Sequence, residues 1–172
     1  MTAPDGISAR HSARPGFLHH HASPLAVALL GGLMLAALLG WLGGWPTPVA
    51  AARNADAVLT VKAPATIRTG MFFEAAITVT PRRRFADLRI GLAPSLWRDV
   101  TQNTMIPAAA EEAFAGALFT FAYGPRTAGD PLEVKLDLQI NPSLVGRTAG
   151  DIVVLDGETP VLRLPLALRV LP

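Results

Sequence analysis

The sequence predicts an all-β protein, an antiparallel sandwich of about seven strands, preceded by one N-terminal transmembrane helix. Three observations predict it. From residue 57 onward, apolar residues recur at every second position in seven short runs. Between those runs stand proline, glycine and asparagine turn signals such as "YGPRTAGDP", "NPSLVGRTAGD" and "DGETP". Before them, the 22 residues from Pro24 to Trp45, "PLAVALLGGLMLAALLGWLGGW", carry no charge at all.

Taken in chain order, residues 1–23 form a polar leader. It holds Arg10, Arg14, His11, His19, His20 and His21 against a single acid, Asp5. That cationic bias predicts a cytoplasmic N-terminus, with everything beyond the span on the far side of the membrane. Residues 24–45, as helix, extend roughly 33 Å, enough for a bilayer core, and Trp41 and Trp45 suit its interface. Within it Ala28, Gly32, Ala36, Gly40 and Gly44 fall every fourth residue, a smooth stripe for close helix packing with a partner or a second copy. The alternative is a cleaved signal peptide. "TPVAAARNADA" offers small residues for a cut after Ala51 or Ala52, but the apolar run exceeds the usual signal core.

Residues 46–56 read as a Pro/Ala linker. The domain then occupies 57–172. Its clearest strand is "LEVKLDLQIN", which alternates Leu132, Val134, Leu136, Leu138 and Ile140 with Glu133, Lys135, Asp137 and Gln139. "AVLTVKA", "FFEAAITVT", "DLRIGLA", "LFTFAY", "DIVVLDG" and "VLRLPLALRV" supply the other six. Pro165 in the last run predicts an edge, because proline donates nothing to a ladder. "IPAAAEEAFAG", opened by Pro107 and closed by Gly116, predicts a short helical turn. Strands with one apolar face each bury those faces against one another as two packed sheets.

This strand-and-turn pattern is carried by "VKAPATIRTGMFFEAAITVTP" and "GDIVVLDGETPVLRLPLALRV". It resembles the immunoglobulin-like β-sandwiches of bacterial cell-surface and periplasmic proteins, including the CARDB-type modules. The resemblance spans residues 57–172 and implies a binding module outside the cytoplasm. The Cys…Trp…Cys core of antibody domains is missing.

The side-chain inventory points away from catalysis. The chain has no cysteine, and all four histidines precede the apolar segment. The domain therefore has no Ser/His triad, no cysteine nucleophile and no imidazole or thiolate metal site. Glu133 and Asp137, Lys62 and Lys135 read as solvated strand faces, and Glu111 and Glu112 as a solvated turn. No catalytic residue, cofactor or metal is expected. From Arg53 onward 13 Lys/Arg balance 12 Asp/Glu, which excludes the concentrated positive field of a nucleic-acid binder.

Two surface candidates remain. Arg82, Arg83 and Arg84 stack three cations in one turn and suit anionic lipid or an acidic partner. Leu96, Trp97, Arg98, Met105 and Ile106 lie in a poorly alternating segment whose residue types are enriched in interface cores. The expected function is a non-catalytic binding or scaffolding module of a cell-envelope or membrane protein complex. It is held in the cytoplasmic membrane by a single pass and contacts lipid through the helix and a protein partner or second copy through the domain. The alternative is a secreted or periplasmic carbohydrate- or protein-binding domain released by cleavage.

Overall fold

The computed structural model describes residues 17–42 and 47–172, with the backbone alone for 17–22. Most of the expected leader, residues 43–46 and Gly44 of the small-residue stripe lie outside the described residues. The chain divides into two units, Met1–Gly44 and Trp45–Pro172.

The first unit holds helix α1, Phe17–Leu38. The helix corrects the expected span of 24–45: it starts earlier and stops seven residues sooner. Gly40 supplies the stop. Its φ of 73° is left-handed, the Gly40 N–H donates to the Ala37 carbonyl and the Trp41 N–H to that of Ala36. This is the paired bonding of a Schellman C-cap, which glycine adopts without a Cβ penalty. Gly40 therefore leaves the stripe, and only Ala28, Gly32 and Ala36 share a helical face. Among the described residues, no helix is long and apolar enough to cross a membrane. Leu25, Val27, Leu29, Leu30, Leu33, Met34, Leu35 and Leu38 are nonetheless all more than half exposed.

The second unit is β-structure in two sheets, in a sandwich-like arrangement, with eleven strands where seven were expected. One sheet has five strands in the order β1 (Val49–Arg53), β2 (Ala57–Lys62), β4 (Phe72–Pro81), β9 (Leu132–Ile140) and β6 (Val100–Ile106). The other has six, in the order β3 (Thr66–Arg68), β11 (Thr159–Leu171), β10 (Gly146–Asp156), β5 (Leu88–Leu92), β8 (Leu118–Ala122) and β7 (Glu111–Ala115). All pairings are antiparallel except β3 with β11.

The seven alternating runs become β2, β4, β5, β8, β9, β10 and β11, and their apolar positions form the core. Leu59, Val79, Leu88, Val134, Ile140 and Val154 are fully buried. Four strands are additions. β1 occupies the expected linker and pairs with β2 from Val49 to Arg53. β3 is a three-residue edge. β6 forms from the poorly alternating segment, with a register shift between Gln102 and Thr104.

β7 replaces the expected helical turn. Its five residues pair with β8 through a two-residue turn in which both Gly116 (φ 57°) and Ala117 (φ 61°) are left-handed. Two positive φ values in a two-residue loop match the twist of a hairpin, so strand pairing overrides the helix preference of an Ala/Glu-rich stretch. Pro165 does lie at a local edge: its strand pairs with β10 on one side, while β3 covers the other side only over Arg169–Leu171.

Candidate functional site

Strand β4 runs from Phe72 to Pro81 and defines two ends of the sandwich, roughly 30 Å apart at 3.3 Å per residue. The arginine triad follows Pro81, at the end away from Phe72. Its members do not act as one patch. Arg83 is committed internally: its Nε lies 3.1 Å from Asp56, its Nη1 lies 2.8 Å from Asp156, and its guanidinium stacks 4.6 Å from the centre of the fully buried Phe85 ring. Arg82 donates to the backbone carbonyl of Asn54 at 3.1 Å, and Arg84 is exposed.

The Asp156 carboxylate organises the β4–β5 loop. Besides Arg83 it accepts the Ala86 N–H at 2.8 Å and the Asp87 N–H at 3.1 Å. The hydrogen bond from Arg83, with help from these two amides, holds its pKa below the usual carboxylate value against the opposing effect of burial. The same hydrogen bond raises the already high pKa of Arg83. The network is structural in form: two carboxylates, Asp56 and Asp156, share one guanidinium, and each group in it has a partner within the fold.

The second candidate segment also turns inward. The short helix α2, Pro94–Trp97, lies on β10. Gly150 makes that approach possible, because a Cβ there would come within 2.6 Å of Ser95 Oγ and 2.7 Å of the Ala93 methyl. The Ser95 hydroxyl donates to the Ala149 carbonyl at 2.7 Å, and the Thr148 hydroxyl donates back to the Ser95 carbonyl.

Leu96 and Trp97 are half-buried against the core, with Trp97 edge-on to Phe121 at 5.6 Å. They close an apolar cavity of about 60 Å³ between the sheets, which Phe73, Leu92, Leu138 and Leu168 also line. A cavity of that size and lining stays dry and is well below the volume of a small-molecule site. Met105 is half-buried and accepts the Tyr123 hydroxyl at 3.2 Å. Burial, and secondarily Glu112, pushes the Tyr123 pKa up to about 12. Arg98 and Ile106 alone of this group point to solvent, Arg98 beside Asp99 at 3.5 Å and Ile106 on the outer strand β6.

The outer face of the five-stranded sheet forms an open groove of about 630 Å³ that includes Lys62, Glu74, Glu133, Lys135 and Asp137. Lys135 lies 3.8 Å from Glu133, and Glu74 faces Asp137 across the β4–β9 ladder. These are exposed or half-exposed strand positions of mixed sign. Among the described residues no three of His, Cys, Asp and Glu are grouped to hold a metal ion.

A third region was not singled out by sequence. The end that begins at Phe72 exposes Met71, Phe72 and Val145, and Arg68, Arg147 and Arg169 are exposed on the same end. The fold and its surface thus define an all-β protein of two sheets in a sandwich-like arrangement. No family model matches the chain, and no curated protein matches it.

Proposed function

We propose that the chain is a membrane-anchored, non-catalytic binding or scaffolding module of a cell-envelope complex, its sandwich an immunoglobulin-like domain outside the cytoplasmic membrane. One observation carries this reading: α1 exposes apolar side chains on every side, from Leu25 to Leu38. A helix without a polar face is at home in a core or a bilayer, not in water. The fifteen residues of α1 from Pro24 onward give about 22 Å of rise, short of a full hydrocarbon core. The apolar sequence continues through Trp45, and bilayers adapt to a short span by thinning locally.

Retention is supported by β1. Ala51 and Ala52, the candidate cleavage positions, pair with Thr60 and Leu59 of β2. Cutting there would strip most of that strand from its sheet. The domain's contribution is then a rigid frame that presents loops and edges, with Arg98 and Ile106 as the members of the predicted partner segment that face solvent.

The test is alkaline carbonate extraction of membranes, followed by mass spectrometry of the mature N-terminus and protease digestion of sealed cells. A carbonate-resistant chain that keeps its leader and is digested only from outside supports the proposal. A soluble chain beginning near Arg53 establishes the released alternative instead.

A further inference from the structure

We infer that the Phe72 end of the sandwich is a docking surface for an anionic lipid bilayer, which deepens the proposed anchoring and rests on it. The described part of this unit begins at Thr47, which lines a surface recess with Phe72, Phe73 and Glu74. The chain therefore joins the sandwich at the Phe72 end.

The surface there has the composition a bilayer recognises. The β3–β4 turn and the β9–β10 loop are fastened together: the Gly70 N–H donates to the Ile140 carbonyl, the Ile140 N–H to that of Met71, and the Thr69 hydroxyl to Pro142. Beneath them, Ile67, Ile140, Leu168 and Val170 form a small second core, with Leu144 packed on it. On this firm base Met71, Phe72 and Val145 are half exposed or more. Apolar side chains projecting from supported turns, rather than from a flat sheet, suit insertion among headgroups better than a protein interface.

The cations complete it. Arg147 and Arg169 are direct neighbours across the β10–β11 ladder, and Arg68 follows on β3, two positions past Thr66, the partner of Arg169. None of the three forms an ion pair among the described residues. Like charges placed directly opposite destabilise a sheet, so an unrelieved pair calls for an external anion. The carboxylates at this end, Glu74, Asp99 and Asp137, belong to the five-stranded side, and Asp99 is beside Arg98. Near an anionic membrane each cation contributes about fivefold in affinity, so three give about 100-fold.

The experiment uses the full chain in vesicles. Because the chain has no cysteine, Val145→Cys places a single polarity-sensitive fluorophore at this end and Arg84→Cys places one at the other. In vesicles of phosphatidylcholine with phosphatidylglycerol, the Val145 probe is expected to shift to the blue and be quenched by brominated lipid. It should do so far less in phosphatidylcholine alone, and the Arg84 probe should report water in both.

Replacing Arg68, Arg147 and Arg169 together by Gln should abolish the shift, while replacing them by Lys should retain it. A Val145 probe that reports water on the anionic vesicles overturns the proposal. So does a shift that survives the Gln substitutions, or one that follows protein density rather than lipid charge and so reports a second copy. Carbonate distinguishes this from the anchor. A chain stripped from its vesicles has lost the anchor, and its Val145 signal on fresh anionic vesicles still decides the docking. A carbonate-resistant chain with a water-exposed Val145 keeps the anchor and loses the docking.

Discussion

The two ends of β4 treat charge in opposite ways. At the Pro81 end, Arg83 is shared between Asp56 and Asp156, Arg89 between Asp87 and Glu111, and Arg126 pairs with Asp130. Arg53, Arg82 and Arg84 form no ion pair among the described residues, but they share that end with these carboxylates, and Arg82 donates to the Asn54 carbonyl. At the Phe72 end, on the six-stranded side, Arg68, Arg147 and Arg169 have no carboxylate within ion-pair reach among the described residues, and apolar side chains stand exposed at the same end. Charge matched within the chain stabilises the fold; charge left unmatched costs stability and is available to something outside. The contrast separates arginines that hold the molecule together from arginines that face a partner, and substitutions at the two ends test it.

The largest expected effect is at Asp156. Its side chain is only 18 % exposed and carries three hydrogen bonds, one of them ionic. Asp156→Ala strands two amides and the Arg83 guanidinium and is expected to cost about 2–3 kcal/mol. Urea denaturation should show a lower midpoint with an unchanged slope. Arg83→Ala should cost less, on the order of 1 kcal/mol, because the arginine is 41 % exposed and partly screened.

Between the ends, Trp97→Ala should cost about 2 kcal/mol, since it removes the edge-on contact with Phe121 and enlarges the adjoining cavity. The same denaturation measures it. A folded Trp97→Ala protein of unchanged stability would free that side chain for a partner role and blur the distinction between interior and surface at α2.

How much of this was legible in the sequence depends on whether the signal was local. β9 was plain because every odd position from Glu133 to Gln139 is polar and every even one from Leu132 to Ile140 is apolar. β1 was not, because "VAAAR" has little strand propensity and becomes a strand only by lying along β2. β7 reads as a short helical turn because Pro107 can open one and Gly116 can close one, and pairing with β8 outweighs those local signals.

The candidate site followed the same rule. Arg82, Arg83 and Arg84 drew notice by being adjacent in sequence, yet the middle one is spent on Asp56 and Asp156. Arg68, Arg147 and Arg169 are scattered along the chain and meet only through the β3–β11–β10 pairing. No periodicity announces a cluster that long-range register creates. The helix stop at Gly40 was readable in principle, because a glycine after an apolar helical run is a stop signal. The uncharged run that continues to Trp45 hides it.

Acid sharpens the comparison further. The folded pKa of Asp156 is below its ordinary value, so its contribution is complete above the usual carboxylate pKa of about 3.9. It is lost as pH falls through that value and the lower folded one. Asp156→Asn should therefore flatten the acid limb of a stability–pH profile taken by urea denaturation between neutral and strongly acidic pH. A profile that keeps its full slope would assign the acid sensitivity to other carboxylates and weaken the case that Asp156 anchors the Pro81 end.

The smallest expected effect is also the most discriminating. If the Phe72-end arginines serve something outside the chain, removing one should leave the isolated protein unharmed. Arg147→Gln relieves its repulsion with Arg169 across the ladder and is expected to be neutral or stabilising by about 0.2–0.5 kcal/mol. A double-mutant cycle with Arg169→Gln should give a repulsive coupling of similar size, reduced by added salt because both side chains are exposed. A loss of 1 kcal/mol or more at either position would mean that these cations already have partners within the fold. The two ends would then differ only in which anions they use, and the reason for looking outside the chain would be gone.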